Sequence, residues 1–123
     1  MKLRVARHTT HLPQLTDFYT RVLGLKVIGG FKDHAGYDGV FIGGINTEWH
    51  LEFTQTEEVP EHHSDEDDLL VLYLTAADYA AMKEKLKTLN IATVAPKNPY
   101  WAENGMTIVD PDGFRIVLAI QQS

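Results

Sequence analysis

One pattern constrains this chain more than any other: its order of elements repeats. Leu23-Gly24-Leu25 closes one helical pattern, and Leu89-Asn90-Ile91 closes a second one 66 positions later. Around each, the sequence reads strand, amphipathic helix and then three short strands, with almost no residue identity between the two copies. A unit of this order has one apolar helix face and one sheet face to bury, and neither copy suffices alone.

In the first copy, Leu3-Arg4-Val5-Ala6-Arg7-His8 alternates with the period of a strand. Leu12, Leu15, Phe18, Tyr19, Val22 and Leu23 then recur at three- and four-residue steps, the spacing of a helix face. Pro13 suits the first helical turn, where a missing N–H costs nothing, and Gly24 suits the left-handed position past the end. Strands are predicted for Leu25 to Phe31, Tyr37 to Ile42 and Trp49 to Phe53, separated by glycine-bearing stretches.

In the second copy, the apolar run from Leu69 to Leu74 reads as a strand, and Thr75-Ala76-Ala77-Asp78 matches a capping box. Tyr79, Met82, Leu86 and Leu89 form the apolar face of the helix that follows. Further strands are predicted for Ile91 to Val94, Gly105 to Val109 and Phe114 to Ile120. Asp110-Pro111-Asp112-Gly113 supplies a tight turn between the last two.

Composition narrows the function classes. With 123 residues the chain is expected to form a single domain that buries about two-thirds of its unfolded surface. Its 44% hydrophobic and 23% charged content is ordinary for a soluble globular protein. The absence of cysteine removes disulfides, thiolate metal sites and thiol nucleophiles. A net charge of −6, with acidic residues crowded between Glu48 and Asp68, argues against nucleic acid as a partner. No signal peptide is evident and no apolar run approaches the roughly 20 residues of a membrane span, so no membrane partner and a cytoplasmic location are expected. The run His62-His63-Ser64-Asp65-Glu66-Asp67-Asp68 reads as a solvated connector rather than a metal tract. The expected boundaries are a first module at about 1–56, the connector at about 57–68 and a second module at about 69–123.

Two motifs carry a family resemblance. Asp17-Phe18-Tyr19-Thr20-Arg21-Val22-Leu23-Gly24-Leu25-Lys26-Val27 and Asp110-Pro111-Asp112-Gly113-Phe114-Arg115-Ile116-Val117-Leu118 resemble the first helix and the last turn and strand of the vicinal oxygen chelate superfamily. That superfamily includes glyoxalase I, bleomycin-resistance proteins and extradiol dioxygenases. The resemblance implies an α+β fold, two βαβββ modules whose curled mixed sheets form a funnel with the helices packed outside. It also implies a divalent metal held by four strand residues, at positions that fall here on Arg4, Glu52, Leu69 and Val117. Glu52 alone has a metal-binding donor, because Arg4 is permanently protonated and Leu69 and Val117 carry no donor atom. No cofactor is therefore expected, and Arg4 is expected to pair with Glu52 where the metal would otherwise sit.

Strand alternation puts His50 and Thr54, Ala6 and His8, Val71 and Tyr73, and Arg115 and Ala119 on the face that bears Glu52. Trp49, Leu51, Phe53, Leu70, Leu72, Ile116 and Leu118 take the opposite face, under the helices. Tyr100 and Trp101, in a proline-rich segment expected to be a loop at the funnel rim, are candidates for ligand stacking, with a cover or dimer contact as the alternative. The expected ligand-binding residues are thus Arg4, His8, His50, Glu52, Tyr73, Tyr100, Trp101 and Arg115. A divalent metal on His8, His50 and Glu52 is the less favoured alternative. His8 stands four residues, about 13 Å, from the family's first-strand position, so such a site requires offset strands. His11 and His34 read as surface residues.

The favoured reading is a protein that binds a small organic molecule, similar in principle to bleomycin-resistance proteins, and forms a homodimer. The alternative is a lyase or dioxygenase of this superfamily, metal-dependent or metal-free, with Glu52 or His50 as general base. A dimeric structural module without a ligand is the third reading.

Overall fold

A computed structural model describes residues 1–121, so the last two positions of the second module lie outside the described residues. The chain divides into two compact units, Met1–His62 and His63–Ser123. The boundary falls inside the acidic connector.

In the first unit, β1 (Leu3–His8) leads into α1 (Leu12–Asp17), which continues as a π-helical stretch, Phe18–Val22. β2 (Lys26–His34), β3 (Tyr37–Gly43) and β4 (Trp49–Gln55) follow. Pro13 lies in the first turn of α1, and the N–H of Leu12 is satisfied by the Gln55 side chain at 2.8 Å. The π geometry is visible in the 3.2 Å bond from the Leu23 N–H to the Phe18 carbonyl, five residues back. Leu15, Phe18, Tyr19, Val22 and Leu23 are all buried, and α1 packs on β3 and β4. The Thr16 and Thr20 hydroxyls donate to the carbonyls of Leu12 and Thr16, the back-bonding that bends helices. Gly24 ends the helix at φ 75°, which lets the Leu25 N–H reach the Tyr19 carbonyl at 3.1 Å.

The strands form one mixed sheet in the order β1-β4-β3-β2, with β1 and β4 parallel and the other pairs antiparallel. Leu51 and Phe53 of β4 are buried, as the alternation predicts, and Trp49 shares their face but is half-buried.

In the second unit, β5 (Leu69–Leu74) precedes α2 (Ala76–Thr88), whose Thr75 side chain caps the Asp78 N–H at 3.1 Å. Met82 and Leu86 are buried, Tyr79 and Leu89 half-buried, and the helix packs on β5 and β7. Asn90 takes the left-handed conformation at φ 56°, and the Ile91 N–H bonds to Leu86 at 2.9 Å. The two helix ends paired by sequence are therefore also equivalent in conformation.

The predicted strand from Ile91 to Val94 is corrected to a single bridge, Val94 with Thr107. The Ile91 N–H is consumed by the helix cap, and Pro96 and Pro99 offer no donors to extend a ladder. The loop expected around Tyr100 and Trp101 is likewise corrected: the two residues open a short helix, α3 (Tyr100–Asn104), because the Asn98 side chain caps the Tyr100 N–H at 3.1 Å. β6 (Gly105–Val109) and β7 (Arg115–Ile120) follow, and the sheet runs β5-β7-β6. With the Val94 bridge on the far side of β6, this order reproduces that of the first unit. The turn between β6 and β7 is built on buried Asp110, whose Oδ1 accepts from the N–H groups of Asp112 and Phe114 at 2.9 and 3.1 Å. The fold is therefore α+β, with seven strands in two mixed sheets.

Candidate functional site

The polar face of the first sheet gathers the predicted residues of β1 and β4. Backbone register sets Arg4 opposite His50, Ala6 opposite Glu52 and His8 opposite Thr54. Arg4 reaches both acceptors: its Nε donates to His50 Nε2 at 2.9 Å, and Nη1 lies 3.8 Å from Glu52 Oε1. The guanidinium carbon stands 4.7 Å over the Phe41 ring, and Phe41 meets His50 edge to face at 6.0 Å. The Glu52 side chain is 15% exposed and that of Arg4 50% exposed, so the acid is mostly enclosed and the arginine half-open to solvent.

Phe41 was not among the predicted site residues. Its signal is the alternation Tyr37, Gly39, Phe41, Gly43, which puts an aromatic ring between two glycines on one face of β3. The glycines leave room: a Cβ on Gly39 would collide with the Phe31 ring, and one on Gly43 would come within 3.3 Å of His50. Phe31 and Phe41 then continue the aromatic surface at 5.8 Å.

His8 belongs to a different set of contacts. Its ring nitrogens lie 2.8 Å from Thr54 Oγ1 and 3.0 Å from Thr56 Oγ1, and Tyr37 meets the ring edge to face. The strand offset brings His8 one same-face step from Glu52, yet both of its nitrogens are engaged by threonines.

The predicted residues of the second unit also separate. Tyr73, Tyr100 and Trp101 line a cleft of about 190 Å³ together with Tyr79, Glu103, Asn104, Gly105, Ala119 and Ile120. Arg115 lies outside it, bonded to the Ala95 carbonyl at 3.0 Å and 3.5 Å from Glu66 Oε2, so it ties the connector and the 95–99 loop to β7. Of the positions given to metal ligands in this unit, Val117 is fully buried on the central strand, and Leu69 is half-buried opposite Arg115.

Two mixed sheets with this element order match the βαβββ fold and make the chain a member of the vicinal oxygen chelate superfamily. The YycE-like N-terminal domain matches residues 3–54 and the YycE-like C-terminal domain residues 67–120. The chain is 46% identical over 120 residues to the uncharacterized protein YycE of Bacillus subtilis (strain 168), covering 94% of this chain and 85% of that one. It belongs to the YycE-like family. The crystal structure of a YycE protein of unknown function from Bacillus subtilis, described as a candidate glyoxalase/fosfomycin resistance protein, superposes with a TM-score of 0.85 at 44% identity. That match covers 99% of this chain and 90% of the other. Two more distant structures share the fold. The trypanothione-dependent glyoxalase I of Leishmania major has TM-score 0.75 at 22% identity, covering 98% and 86% of the two chains. The antibiotic binding protein TnmS3 of Streptomyces sp. CB03234 has TM-score 0.71 at 18% identity, covering 99% and 96%.

At the positions that the resemblance gives to metal ligands, Glu52 is the one residue with a metal-binding donor. A guanidinium donates hydrogen bonds but offers no lone pair, and Leu69 and Val117 have no donor atom. Among the described residues, no group of three or more His, Asp or Glu side chains is placed to hold an ion. Among the described residues, no helix is long and apolar enough to cross a membrane.

Proposed function

We propose that this protein binds a small zwitterionic or carboxylate-bearing organic molecule at the polar face of its first sheet and does not transform it. The observation that carries the reading is Arg4. Its Nε is spent on His50 and one Nη approaches Glu52, while the outward half of the guanidinium keeps N–H donors free for a carboxylate. Phe41 beneath the cation and His50 beside it hold the fork in place before a ligand arrives, which lowers the entropy cost of binding. Glu52 supplies an acceptor for the ligand's positive or hydroxyl group.

Chemistry of the superfamily's metal-dependent kind needs an ion with open positions, and the donor set here argues for binding instead. The same proposal includes a cytoplasmic homodimer. Leu3 and Val5 on one edge strand and Val27 and Ile28 on the other are 58%, 42%, 52% and 56% exposed, apolar side chains that association of chains along a sheet edge would cover. Light scattering behind size exclusion checks the dimer.

The test of binding is elemental analysis of the purified protein, as isolated and after incubation with iron, nickel, manganese and zinc, followed by a thermal-shift screen of amino-acid-like and carboxylate compounds. Low metal content together with hits lost in Arg4→Ala supports the proposal. One tightly held ion per chain, lost in Glu52→Ala, refutes it and directs attention to His50 and Glu52 as catalytic groups.

A further inference from the structure

The cleft of the second unit is built from different chemistry. Its walls are three tyrosines and a tryptophan, Tyr73, Tyr79, Tyr100 and Trp101, with the Glu103 carboxylate and the Asn104 amide, and no Lys, Arg or His lines it. Tyr100 and Trp101 stand perpendicular, with ring centroids 4.9 Å apart and planes at 90°, so the edge of one ring packs on the face of the other and both line the cleft. They are held there by local backbone chemistry. The Asn98 side chain accepts the Tyr100 N–H at 3.1 Å, the Trp101 N–H bonds to the Asn98 carbonyl at 3.1 Å, and the Asn104 amide donates to the Tyr100 carbonyl at 2.7 Å. Tyr73 and Tyr100 are about 60% exposed, so a ligand has access to them.

Aromatic faces carry negative potential, and a carboxylate adds a full negative charge with no cation on the walls to cancel it. An anion gains nothing in such a place. A bulky, weakly hydrated cation gains on every wall, and its low hydration makes entry cheap, whereas a compact ammonium must shed tightly bound water. A cleft of about 190 Å³ is of the size of a small organic head group.

We infer that this cleft is a binding site for a methylated or quaternary ammonium group, with Tyr100 and Trp101 as its aromatic walls and Glu103 as its counter-charge. The site uses none of the first-sheet residues and stands or falls independently of the Arg4 reading.

The experiment uses Trp101 as its own reporter. In a Trp49→Phe background Trp101 is the sole tryptophan, and its fluorescence is followed during titration with choline and, in parallel, with 3,3-dimethyl-1-butanol, the neutral compound of the same shape. A saturable change with choline, at least tenfold weaker with the neutral compound, is expected. Affinity for choline should fall about tenfold in Tyr100→Leu and should also fall in Glu103→Gln. Circular dichroism and the thermal midpoint confirm that each variant is folded, and proton NMR line-broadening of the choline methyl groups repeats the measurement without the tryptophan substitution. Equal responses to choline and its neutral counterpart, or no saturable response in either readout, would overturn the assignment.

Discussion

Arg4 and His50 face each other across β1 and β4, and the 2.9 Å bond from Arg4 Nε to His50 Nε2 decides the state of the imidazole. Arginine only donates, so Nε2 must accept, and the neutral ring carries its proton on Nδ1. Glu52 shares the same guanidinium at 3.8 Å. One guanidinium therefore serves both an imidazole and a carboxylate on this face.

Replacing Arg4 by Lys is predicted to abolish ligand binding with little effect on the fold. A lysine keeps the charge but not the planar fork that serves His50, Glu52 and a ligand carboxylate together. Because the Arg4 side chain is 50% exposed, the ion pair contributes at most about 1 kcal/mol. Urea unfolding should show a loss within that bound, and calorimetric titration with any ligand found for the native protein should show no binding. Retained affinity in Arg4→Lys would exclude a bidentate role.

Arg4→His is predicted to create metal affinity. It supplies a ring nitrogen beside His50 and Glu52, completing two imidazoles and a carboxylate, a donor set suited to nickel or zinc. Metal retained after dialysis, measured by elemental analysis against the native protein, should rise toward one ion per chain. An unchanged content would show that these three positions do not converge.

The paired helix ends predict opposite tolerances. Gly24 and Asn90 both adopt left-handed backbone, at φ 75° and 56°. Gly24→Ala should cost about 1–2 kcal/mol through the Cβ clash of that conformation. Asn90→Gly removes no Cβ-compatible contact that the turn depends on, since its backbone N–H makes the bond to Lys87, and should change stability far less. Chemical denaturation of the two variants side by side gives the comparison.

Asp110→Ala is predicted to destabilise the protein by about 1–3 kcal/mol, because two backbone N–H groups, of Asp112 and Phe114, lose their acceptor at a buried turn. Asp110→Asn keeps a carbonyl oxygen at the same place and should recover most of the loss. Equal losses in both variants would mean that the charge, and not the acceptor geometry, holds the turn.

Much of this protein was legible along the chain. Period-two alternation located β1, an apolar run β5, three- and four-residue steps both principal helices, and turn-forming residue types the Asp110 turn. Parity placed His50 on the face of Glu52 within β4, because side-chain direction in a strand alternates, and the family resemblance added Arg4 from β1. The equivalence of Gly24 and Asn90 was readable for a similar reason: a helix end needs one left-handed residue, and few residue types supply it.

Tertiary structure decided the rest. Strand parity does not give register, so only the fold shows that Arg4 sits opposite His50 and reaches Glu52 diagonally. Nor does it give competition for donors: the Ile91 N–H goes to the α2 cap rather than to a strand. The cushion of Phe41 under Arg4, the capture of Arg115 by Ala95 and Glu66, and the right angle between Tyr100 and Trp101 all join residues through space. Local sequence fixes which way a side chain points; what it meets there depends on how distant strands align, and that alignment is set by the packing of the whole sheet.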